Sequence, residues 1–253
     1  MSDQKIALVT GGSRGLGRNT ALTLATQGVD VIFTYHSNQT AAEEVQTAIT
    51  EMGQRAEYLQ LDTGIVSSFE DFKTKLEQTL QATWQRSNFD FLINNAGVGA
   101  HAMIGQTSEE TFDHLLNIQF KGVYFLTQEL LSVMADGGRI VNISTGLTRF
   151  ALPGYAAYAS MKGAVETFTK YLAKELGGRG ITANSVAPGA IDNDFNKAAF
   201  THNPQIVDFI ASQTALGRVG KSSDIGSVVA FLCSDAAGWV NAQRLEASGG
   251  MFL

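Results

Sequence analysis

Short runs of β-branched and aliphatic residues alternate along this chain with longer segments whose apolar residues recur every three or four positions. The first pattern is typical of buried strands and the second of amphipathic helices. Because the two alternate, the sequence predicts an α/β fold with a parallel sheet and helices on both faces. About seven strands are expected, at residues 6–10, 31–35, 56–61, 89–94, 139–144, 181–186 and 244–246.

Helical periodicity fills most of the intervals between these strands. Gly28, Gly53 and Gly177 follow three of the segments, where a helix C-cap favours a positive φ. No linker or internal repeat divides the chain, so we expect one doubly wound domain over residues 1–253 in three layers, α/β/α. Right-handed crossovers would bring the carboxyl ends of the strands to one edge, where ligands bind. The predicted helices are 16–27, 41–52, 67–84, 108–134, 155–176 and 223–234.

Composition narrows the classes of function. The chain carries 18 basic and 24 acidic side chains, a formal net charge of −6, so no broad cationic face for nucleic acid is expected. The single Cys233 cannot form an intrachain disulfide. No apolar run approaches the roughly 18 residues of a membrane span and no signal-peptide pattern is present, so we expect a soluble, cytoplasmic protein. No catalytic metal is expected, because metal-ligand spacing is absent among His36, His101, His114 and His202.

A glycine-rich turn joins the first predicted strand to the first predicted helix. Gly11 permits a tight turn, Gly15 lets the backbone approach a pyrophosphate, and Gly17 allows close packing of the helix. The free N–H groups of the new helix attract negative charge. This order of strand, glycines and helix predicts a dinucleotide site; the alternative is a glycine-rich turn that binds no ligand.

The end of the second strand distinguishes the two nicotinamide dinucleotides. Sites for NAD usually place an acidic residue there to accept a hydrogen bond from the ribose 2′-OH, but this position holds Tyr35. The neighbouring loops offer Arg14, His36, Ser37 and Asn38, which can donate to a 2′-phosphate. We therefore predict NADP(H) over NAD(H); the alternative is that Arg14 and His36 are solvated loop residues.

Tyr158 and Lys162 lie four positions apart in the predicted helix 155–176, so their side chains project from one face. A tyrosine has an ordinary pKa of about 10, but an adjacent ammonium favours the phenolate and lowers that pKa. The pair can thus serve in acid–base catalysis. A tyrosine and a lysine also fall four apart by chance in many amphipathic helices, so the spacing alone decides nothing.

Further motifs stand at the ends of the predicted strands, where the active edge should lie. Together with those already described, the motifs are, in chain order, Thr10-Gly11-x-x-x-Gly15-x-Gly17, Asp62, Asn94-Asn95-Ala96-Gly97, Ser144-Thr145, Tyr158-x-x-x-Lys162 and Pro188-Gly189. With them the chain resembles the short-chain dehydrogenases/reductases from Lys5 to Leu253. The resemblance implies a Rossmann fold and an oxidoreductase similar to the 3-oxoacyl-carrier-protein reductases.

The resemblance implies a role for each matching position. Tyr158 would act as general acid toward a carbonyl oxygen, or as base toward an alcohol, while Lys162 lowers its pKa and holds the nicotinamide ribose. Asp62 is expected near the adenine. The residues expected to bind the cofactor are Gly11, Ser13, Arg14, Gly15, Leu16, Gly17, Tyr35, His36, Ser37, Asp62, Thr63, Asn95, Ala96, Gly97, Tyr158, Lys162, Pro188, Gly189, Ile191 and Asn193.

Three positions depart from the family pattern. The family's catalytic serine, thirteen residues before the tyrosine, is replaced by Thr145, whose hydroxyl can still donate. A catalytic asparagine becomes Gln119, whose longer arm could slow proton supply; Asn117 lies about 200° further round the helix and is not expected to substitute. Asn193 stands where a threonine commonly contacts the nicotinamide. The candidate catalytic residues are Tyr158, Lys162, Thr145, Gln119 and Ser144.

The segment at about 190–220 resembles the family's mobile substrate-covering segment, which excludes water. Apolar residues in and near it indicate a ketone or aldehyde with a hydrophobic body, although some of them will be core. Arg149 is the one nearby candidate for binding an anion and is expected to face solvent. These apolar residues are Leu147, Phe150, Leu152, Tyr155, Phe195, Phe200 and Phe209.

The leading hypothesis is an NADPH-dependent carbonyl reductase. One rival is an NADP-binding regulator or scaffold weakened by the three departures from the family pattern. Another, within the enzyme class, is a 3-oxoacyl thioester reductase, which would need a basic docking surface from Arg149, Arg179 and Lys197. The long helices and the apolar C-terminal end resemble the elements by which family members form homotetramers, although Phe252 and Leu253 could instead pack within their own subunit.

Overall fold

The central sheet is built from short runs that are buried on both faces, as parallel strands flanked by helices require. In the computed structural model, which describes residues 4–194, 196, 200–201 and 204–253, every residue of β1 is buried, and so is every residue of β2 and β4. The strands are β1 (Ile6–Val9), β2 (Asp30–Tyr35), β3 (Ala56–Gln60), β4 (Phe89–Asn94), β5 (Met134–Ile143), β6 (Thr182–Pro188), β7 (Ile191–Asp192), β8 (Gly220–Lys221) and β9 (Arg244–Ala247).

Seven of these strands pair in parallel in the order β3-β2-β1-β4-β5-β6-β9. The chain winds outward from β1 in one direction to β3 and then in the other direction from β4 to β9. The strand order therefore reverses between β1 and β4, and the crevice beyond their carboxyl ends is where such sheets bind ligands. The predicted doubly wound α/β fold with about seven parallel strands is confirmed.

Helices cover both faces of the sheet and bury two separate apolar clusters. One cluster includes Leu24 and Ile49, and the other includes Leu76, Leu126 and Leu172. Helices α1, α2 and α8 contribute to the first cluster, whereas α3, α5 and α6 contribute to the second. The described helices are α1 (Gly15–Thr26), α2 (Gln39–Glu51), α3 (Phe69–Trp84), α4 (Glu109–Leu116), α5 (Gly122–Leu130), α6 (Ala156–Glu175), α7 (Pro204–Ser212) and α8 (Ser222–Cys233).

The prediction of one continuous helix over 108–134 is wrong. Helix α4 ends at Leu116, a π-helical turn spans Asn117–Lys121, α5 follows, and strand β5 already begins at Met134. The start of α5 presses on the backbone after β3: a Cβ added to Gly122 would lie 2.0 Å from Thr63 O. Such π-helical turns are frequent at functional sites.

Other predicted boundaries need smaller corrections. Gly28 and Gly53 have the expected positive φ, 82° and 87°, but Gly177 does not: it opens a 3₁₀ turn, and the positive φ, 68°, falls on Gly180. The short pair of β7 with β8 and the helix α7 were not predicted. Three residues considered from the sequence lie outside the described part of the chain: Phe195, Lys197 and His202.

The described residues were also searched for features of other protein classes. None of their helices has the length and apolarity needed to cross a membrane. They contain no group of three or more His, Cys, Asp and Glu side chains able to hold a metal ion. Cys233 is a free, buried thiol, and burial raises its pKa to about 12, so it is not a reactive nucleophile.

Candidate active site

The loop between β1 and α1 is folded tightly around its glycines. Gly11 and Gly15 both adopt positive φ, 65° and 56°. A Cβ on Gly17 would lie 2.2 Å from Gly11 O, so the first turn of α1 rests directly on the loop. No side chain caps this helix, whose N-cap residue is Arg14. The first N–H groups of α1 are thus left for a ligand, and they fit the pyrophosphate of a dinucleotide.

Hydrogen bonds join the end of β4 to the end of β1. Asn95 Nδ2 donates to Thr10 O at 2.8 Å and to Gly11 O at 3.2 Å, while the backbone N–H groups of Asn95 and Ala96 donate to Thr10 Oγ1 at 2.9 and 3.0 Å. A Cβ on Gly11 would lie 3.0 Å from Ala96 Cα. The predicted residues Asn95 and Ala96 therefore form one wall of the crevice at the switch point, and the phosphate loop forms the other.

The region expected to receive the adenosine phosphate carries unpaired positive charge. The Arg14 side chain is exposed and makes no hydrogen bond or ion pair with any described residue. His36 Nε2 lies 3.4 Å from Asp62 Oδ2, which brings the ends of β2 and β3 together, and Ser37 is exposed beside them. Asp62 Oδ1 accepts from Gly64 N at 2.8 Å. These groups fit a 2′-phosphate better than a free ribose 2′-OH.

Some of the residues predicted to bind the cofactor contribute backbone or packing only. Tyr35 is buried and its ring packs edge-on against Tyr58, with centroids 5.7 Å apart, so the ring belongs to the core. Leu16 also packs against the first apolar cluster. Ser13 and Thr63 lie at the crevice ends of β1 and β3, in the loops that follow these strands.

Lys162 and Tyr158 meet at the carboxyl end of β5. Lys162 is 4% exposed, donates from Nζ to Ile143 O at 2.8 Å, and places Nζ 5.9 Å from the centroid of the Tyr158 ring. Burial lowers the pKa of Lys162 to about 8. Burial, with a smaller contribution from Tyr155, raises the pKa of Tyr158 above its ordinary value. Lys162 is not among the groups that shift the pKa of Tyr158, so the predicted lowering of that pKa by the lysine stays a prediction. The phenol holds its proton.

The two hydroxyls after β5 point to different partners. Ser144 Oγ donates to Glu166 Oε1 at 2.6 Å, and the residue is 2% exposed. Its hydroxyl is committed to that carboxylate, and the catalytic role predicted for Ser144 stays a prediction. Thr145 Oγ1 accepts from Leu147 N at 3.3 Å and keeps its proton for another acceptor. Thr145 lies two residues beyond Ile143, the residue to which Lys162 is bonded.

Gln119 lies in the π-helical turn and reaches the loop after β4. Its side chain is 1% exposed, Nε2 donates to Val98 O, and Oε1 has no hydrogen-bond partner among the described residues. A Cβ on Gly97 would lie 2.9 Å from Gln119 Oε1. The longer side chain thus holds the backbone at Gly97 and leaves one buried acceptor facing it.

The residues expected near the nicotinamide lie at the end of β6. Gly189 N donates to Ala247 O at 3.2 Å, and a Cβ on Gly189 would lie 2.9 Å from Ser248 Cα, so the chain passes close beside β9 after Pro188. Ile191 is buried in β7, which pairs with β8 and joins the two ends of the segment at about 190–220 that was predicted to cover the substrate. Asn193 follows β7 and is half-buried.

The rim of the site is largely apolar and aromatic. The His101 ring lies edge-on to Tyr155 with centroids 5.1 Å apart, and Met103 and Ile104 in the same loop are 48% and 83% exposed. Phe209 of α7, whose ring lies 6.4 Å from that of Phe252, is 51% exposed. This rim could receive an apolar molecule.

Arg149 is exposed, as predicted, and it is also paired. It donates from Nε and Nη2 to the two carboxylate oxygens of Glu246, both at 2.6 Å, and from Nη1 to Phe252 O at 2.9 Å. This pairing leaves the guanidinium occupied. Phe252 packs within its own subunit, with its ring 4.8 Å from that of Phe150, whereas Leu253 is 95% exposed.

Sequence reasoning missed two residues behind the site, Glu166 and Arg244. Glu166 lies four residues after Lys162 on α6, one helical turn away, and this spacing was the available signal. Arg244 on β9 donates from Nε to Glu166 Oε1 at 2.8 Å. A contact across 78 positions of sequence has no local signature.

Comparison with known proteins identifies the family. A family model described as enoyl-(acyl carrier protein) reductase matches residues 11–252. The chain is 36% identical over 259 residues to an NADPH-dependent aldehyde reductase-like protein of Arabidopsis thaliana, covering 97% of this chain and 93% of that protein. It is 34% identical over 257 residues to a tetrahydroxynaphthalene reductase of Pestalotiopsis fici, covering 97% and 91%.

Solved structures agree. The promiscuous reductase LugOII, which catalyses keto-reduction at C1 during lugdunomycin biosynthesis, superposes with a TM-score of 0.93 at 40% identity and covers 98% of both chains. The angucycline C-6 ketoreductase LanV with bound NADP gives a TM-score of 0.93 at 38% identity, covering 98% of this chain and 95% of that one.

The chain belongs to the short-chain dehydrogenases/reductases. It is an oxidoreductase of that family, acting on carbonyl and alcohol groups, as predicted. The prediction of NADP(H) over NAD(H) agrees with the NADP-bound relative and with the free cation at Arg14.

Proposed function

We propose that this enzyme uses NADPH to reduce a ketone carried on a flat, hydrophobic body, with Tyr158 as the proton donor. The observation that carries the proposal is the meeting of three groups at one strand end. Lys162 Nζ is bonded to Ile143 O at 2.8 Å, it lies 5.9 Å from the Tyr158 ring centroid, and Thr145 is two residues further along. All three stand beside the crevice between β1 and β4.

NADPH, when bound, supplies the hydride that reaches the carbonyl carbon. The residues that fit it divide by region. The loop from Gly11 to Gly17 and the start of α1 would hold the pyrophosphate, while Arg14 and His36 would hold the 2′-phosphate. The remaining predicted residues, by region from adenine to nicotinamide, are Ser37, Asp62, Thr63, Asn95, Ala96, Gly97, Lys162, Pro188, Gly189, Ile191 and Asn193.

The chain's own residues would handle the proton. Thr145 Oγ1 would donate a hydrogen bond to the carbonyl oxygen, which orients the carbonyl and stabilises the charge that develops on oxygen. Tyr158 Oη, protonated because burial raises its pKa, would transfer its proton to that oxygen and give the alcohol. Lys162, whose pKa of about 8 lies near physiological pH, would exchange a proton readily and stabilise the resulting phenolate.

The apolar rim supports a hydrophobic substrate. His101 and Tyr155 offer aromatic rings, and Met103, Ile104 and Phe209 offer exposed apolar surface. Flat aromatic molecules stack on such groups. Similar proteins act on related chemistry: one reduces tetrahydroxynaphthalene, whose name describes a fused aromatic ring system, and two are ketoreductases.

A 3-oxoacyl thioester on a carrier protein is the second candidate. It would need exposed cations near the entrance. Arg149 is occupied by Glu246, and Arg179 lies at the amino-terminal edge of the sheet, where it pairs with Asp136 at 2.7 Å. Lys197 lies outside the described residues. The described cations therefore favour the free ketone over the carrier-bound thioester.

For the assembly we propose a homotetramer, or a homodimer, in the cytoplasm. Helices α4 and α6 carry exposed aromatic residues, with Phe112 42% and Tyr171 62% exposed, and Leu253 is exposed at the C-terminal end. Symmetric association would cover them. Light scattering on the protein as it elutes from a size-exclusion column is expected to give a mass of about two or four chains. A monomeric mass at micromolar concentration would contradict the proposal.

The proposed function is tested by NADPH oxidation with a panel of aryl ketones and aldehydes. Turnover is expected for bicyclic aryl ketones, and Tyr158→Phe is expected to lower kcat roughly 10²- to 10⁴-fold while the Kd for NADPH is kept. Tyr171→Phe, an exposed tyrosine on the same helix, is the matched control. Binding of NADPH without turnover of any carbonyl compound, the behaviour of a regulator, would contradict the proposal.

A further inference from the structure

A cluster of charged and polar side chains lies directly behind the loop that carries Thr145. Glu166 Oε1 accepts hydrogen bonds from Ser144 Oγ at 2.6 Å and from Arg244 Nε at 2.8 Å. Arg244 Nη2 donates to Thr145 O at 3.1 Å. Thr148 Oγ1, which has one proton, lies 2.8 Å from Glu166 Oε1 and 3.0 Å from Thr145 O, and donates to one of these two acceptors at a time. The peptide group of Thr145 is therefore held from behind.

The cluster continues to the C-terminal end. Arg244 Nη1 donates to Glu246 Oε2 at 3.0 Å, and Glu246 is also bound through both oxygens by Arg149. The hydrogen bonds from Arg149 are the largest reason why the pKa of Glu246 is lowered to about 2, so this carboxylate is charged at any working pH. Arg149 in turn donates to the carbonyls of Met251 and Phe252. One connected set of hydrogen bonds thus runs from Thr145 to the C-terminal tail.

The same tail supports the end of the substrate-covering segment. Ala215 N donates to Gly250 O at 3.2 Å, and Phe252 N donates to Gln213 O at 2.8 Å. The Phe252 ring also lies 6.4 Å from that of Phe209 on α7. The tail therefore contacts the loop behind Thr145 on one side and the covering segment on the other.

Stability alone is a weak reason for such a cluster. Partly buried ion pairs contribute little net free energy, because desolvation offsets most of the attraction. What the cluster does fix is orientation. A guanidinium is rigid and planar, and each of the three nitrogens of Arg244 donates to a partner that is held by β5, α6 or β9. The orientation of the Thr145 carbonyl fixes the adjoining backbone, and with it the direction of the Thr145 side chain.

We propose that Arg244 is a positioning residue, which aims the Thr145 hydroxyl at the substrate carbonyl by holding Thr145 O, with Glu166 and Glu246 fixing its guanidinium. The inference rests on the proposed role of Thr145 as the hydrogen-bond donor to the substrate. Arg244 itself touches neither substrate nor cofactor in this account. Its effect must therefore pass through Thr145.

The test is a double-mutant cycle on kcat with Arg244→Met and Thr145→Ala. Arg244→Met is expected to lower kcat roughly 10- to 100-fold, as a displacement of about 1 Å in a reacting group does, with the Kd for NADPH unchanged. In the Thr145→Ala background the same change is expected to have less than a threefold effect, because the hydroxyl it aims is gone.

Arg179 offers a matched control at the opposite edge of the sheet. It also pairs with a carboxylate, Asp136, and donates to two backbone carbonyls, those of Leu131 and Met134. Arg179→Met is expected to shift the unfolding midpoint as Arg244→Met does and to leave kcat unchanged. Loss of kcat in both variants would show that the effect follows stability and would overturn the proposal.

A conservative variant separates positioning from folding if Arg244→Met does not fold. Arg244→Lys keeps the charge, but one ammonium cannot reach Glu166, Glu246 and Thr145 O together, so it is expected to restore the unfolding midpoint and not kcat. A wild-type kcat in Arg244→Lys, or additive effects in the cycle, would overturn the proposal alone. A wild-type kcat in Thr145→Ala would overturn the role of Thr145 and this proposal with it, whereas Tyr158→Phe tests the proposed reaction independently.

Discussion

Both edges of the central sheet contain buried polar groups, but the two edges differ in how far these groups are hydrogen-bonded within the chain. At the amino-terminal edge, Asp30 and Asp90 are 2% and 4% exposed. Asp30 accepts from Arg55 N and Nε, both at 2.9 Å, and from Trp84 Nε1 at 2.7 Å. Asp90 accepts from Ile6 N and Arg86 Nη1, both at 2.9 Å, and from Lys5 Nζ at 3.1 Å. Each carboxylate is saturated by donors of the chain itself.

At the carboxyl edge, hydrogen-bonding capacity is left over. Helix α1 begins without a side-chain cap, and Arg14 makes no side-chain contact of this kind within the described chain. Gln119 Oε1 is buried without a partner there, and burial lowers the pKa of Lys162 to about 8. Polar groups whose hydrogen bonds are all made within the chain stabilise the sheet, whereas polar groups with unused hydrogen-bonding capacity are available to bind a ligand or to react. Arg139 Nε and Thr182 Oγ1 at the amino-terminal edge are also buried without a partner among the described residues, so the contrast is between the paired carboxylates of one edge and the uncapped helix, Arg14 and Lys162 of the other.

The largest expected effect on stability comes from removing one of the paired carboxylates at the amino-terminal edge. Asp30→Ala leaves Trp84 Nε1 and Arg55 without their acceptor and is expected to lower the free energy of unfolding by about 3–5 kcal/mol, measured by denaturant titration. The kcat of the folded protein should not change. The control Asp136→Ala removes a 74% exposed side chain of the same edge and should cost about 1 kcal/mol or less. A fall in kcat for Asp30→Ala at preserved stability would erase the distinction between the edges.

The next effect is a pH dependence centred on Lys162. Its pKa is about 8 in the folded protein against an ordinary 10.5, so between these values the unfolded chain binds more protons. The contribution of Lys162 to the free energy of unfolding therefore rises with pH, by up to about 1.4 kcal/mol per unit, from about pH 8. Above about pH 10 the raised pKa of Tyr158 acts in the opposite direction.

This dependence is isolated by comparing the wild type with Lys162→Met in denaturant titrations at pH 8, 9 and about 10. The free energy of unfolding of the wild type should increase relative to that of the variant as the pH rises. Parallel curves of unfolding free energy against pH would mean that the lysine keeps its ordinary pKa in the folded protein and that burial at the carboxyl edge does not disfavour its charged form.

A smaller effect is expected in the phosphate loop. A Cβ at Gly17 would lie 2.2 Å from Gly11 O and 2.4 Å from Asn95 Nδ2, so Gly17→Ala should push α1 from the loop. We expect a loss of about 1–3 kcal/mol in stability and a corresponding loss of NADPH affinity, measured by fluorescence titration. Gly177→Ala, where an added Cβ meets nothing within 4 Å, is the control. Unchanged NADPH binding in Gly17→Ala would contradict the placement of the pyrophosphate.

The smallest predicted effect concerns the choice of cofactor. Arg14→Ala removes a free cation from the phosphate loop and should raise the KM for NADPH about tenfold, the value of one charge-assisted hydrogen bond, without changing the KM for NADH. Arg18→Ala removes an exposed arginine one turn further along α1 and should leave both constants unchanged. Equal effects on the two cofactors would place the 2′-phosphate elsewhere.

The saturated scaffold was the more predictable part of the molecule. Strands such as β1 and β4 are buried on both faces, so their apolar runs are visible in the sequence. Strands β7 and β8 contain two residues each and exist through their pairing with one another, which no local pattern announces. At Gly177 the glycine was correctly seen as the end of α6, but an added 3₁₀ turn moved the positive φ to Gly180.

The sequence indicated which residues lie at the site better than it indicated which groups those residues hydrogen-bond. Successive residues of an extended chain face opposite sides, so Ser144 and Thr145 could not both point into one site. The sequence alone does not tell which of them meets a buried carboxylate, because Glu166 lies 22 residues away. Likewise the pKa of Tyr158 is raised chiefly by burial, which the spacing of Tyr158 and Lys162 in the sequence does not show.

The most direct test of the account is the fate of a deuteride from NADPH deuterated at C4 of the nicotinamide, followed by NMR of the product alcohol. The account predicts one deuterium on the former carbonyl carbon in the wild type, and formation of the labelled alcohol roughly 10²- to 10⁴-fold more slowly in Tyr158→Phe although that variant still binds the cofactor. Labelled alcohol formed by Tyr158→Phe at the wild-type rate would contradict the assignment of the carboxyl edge as the place where Tyr158 gives up its proton.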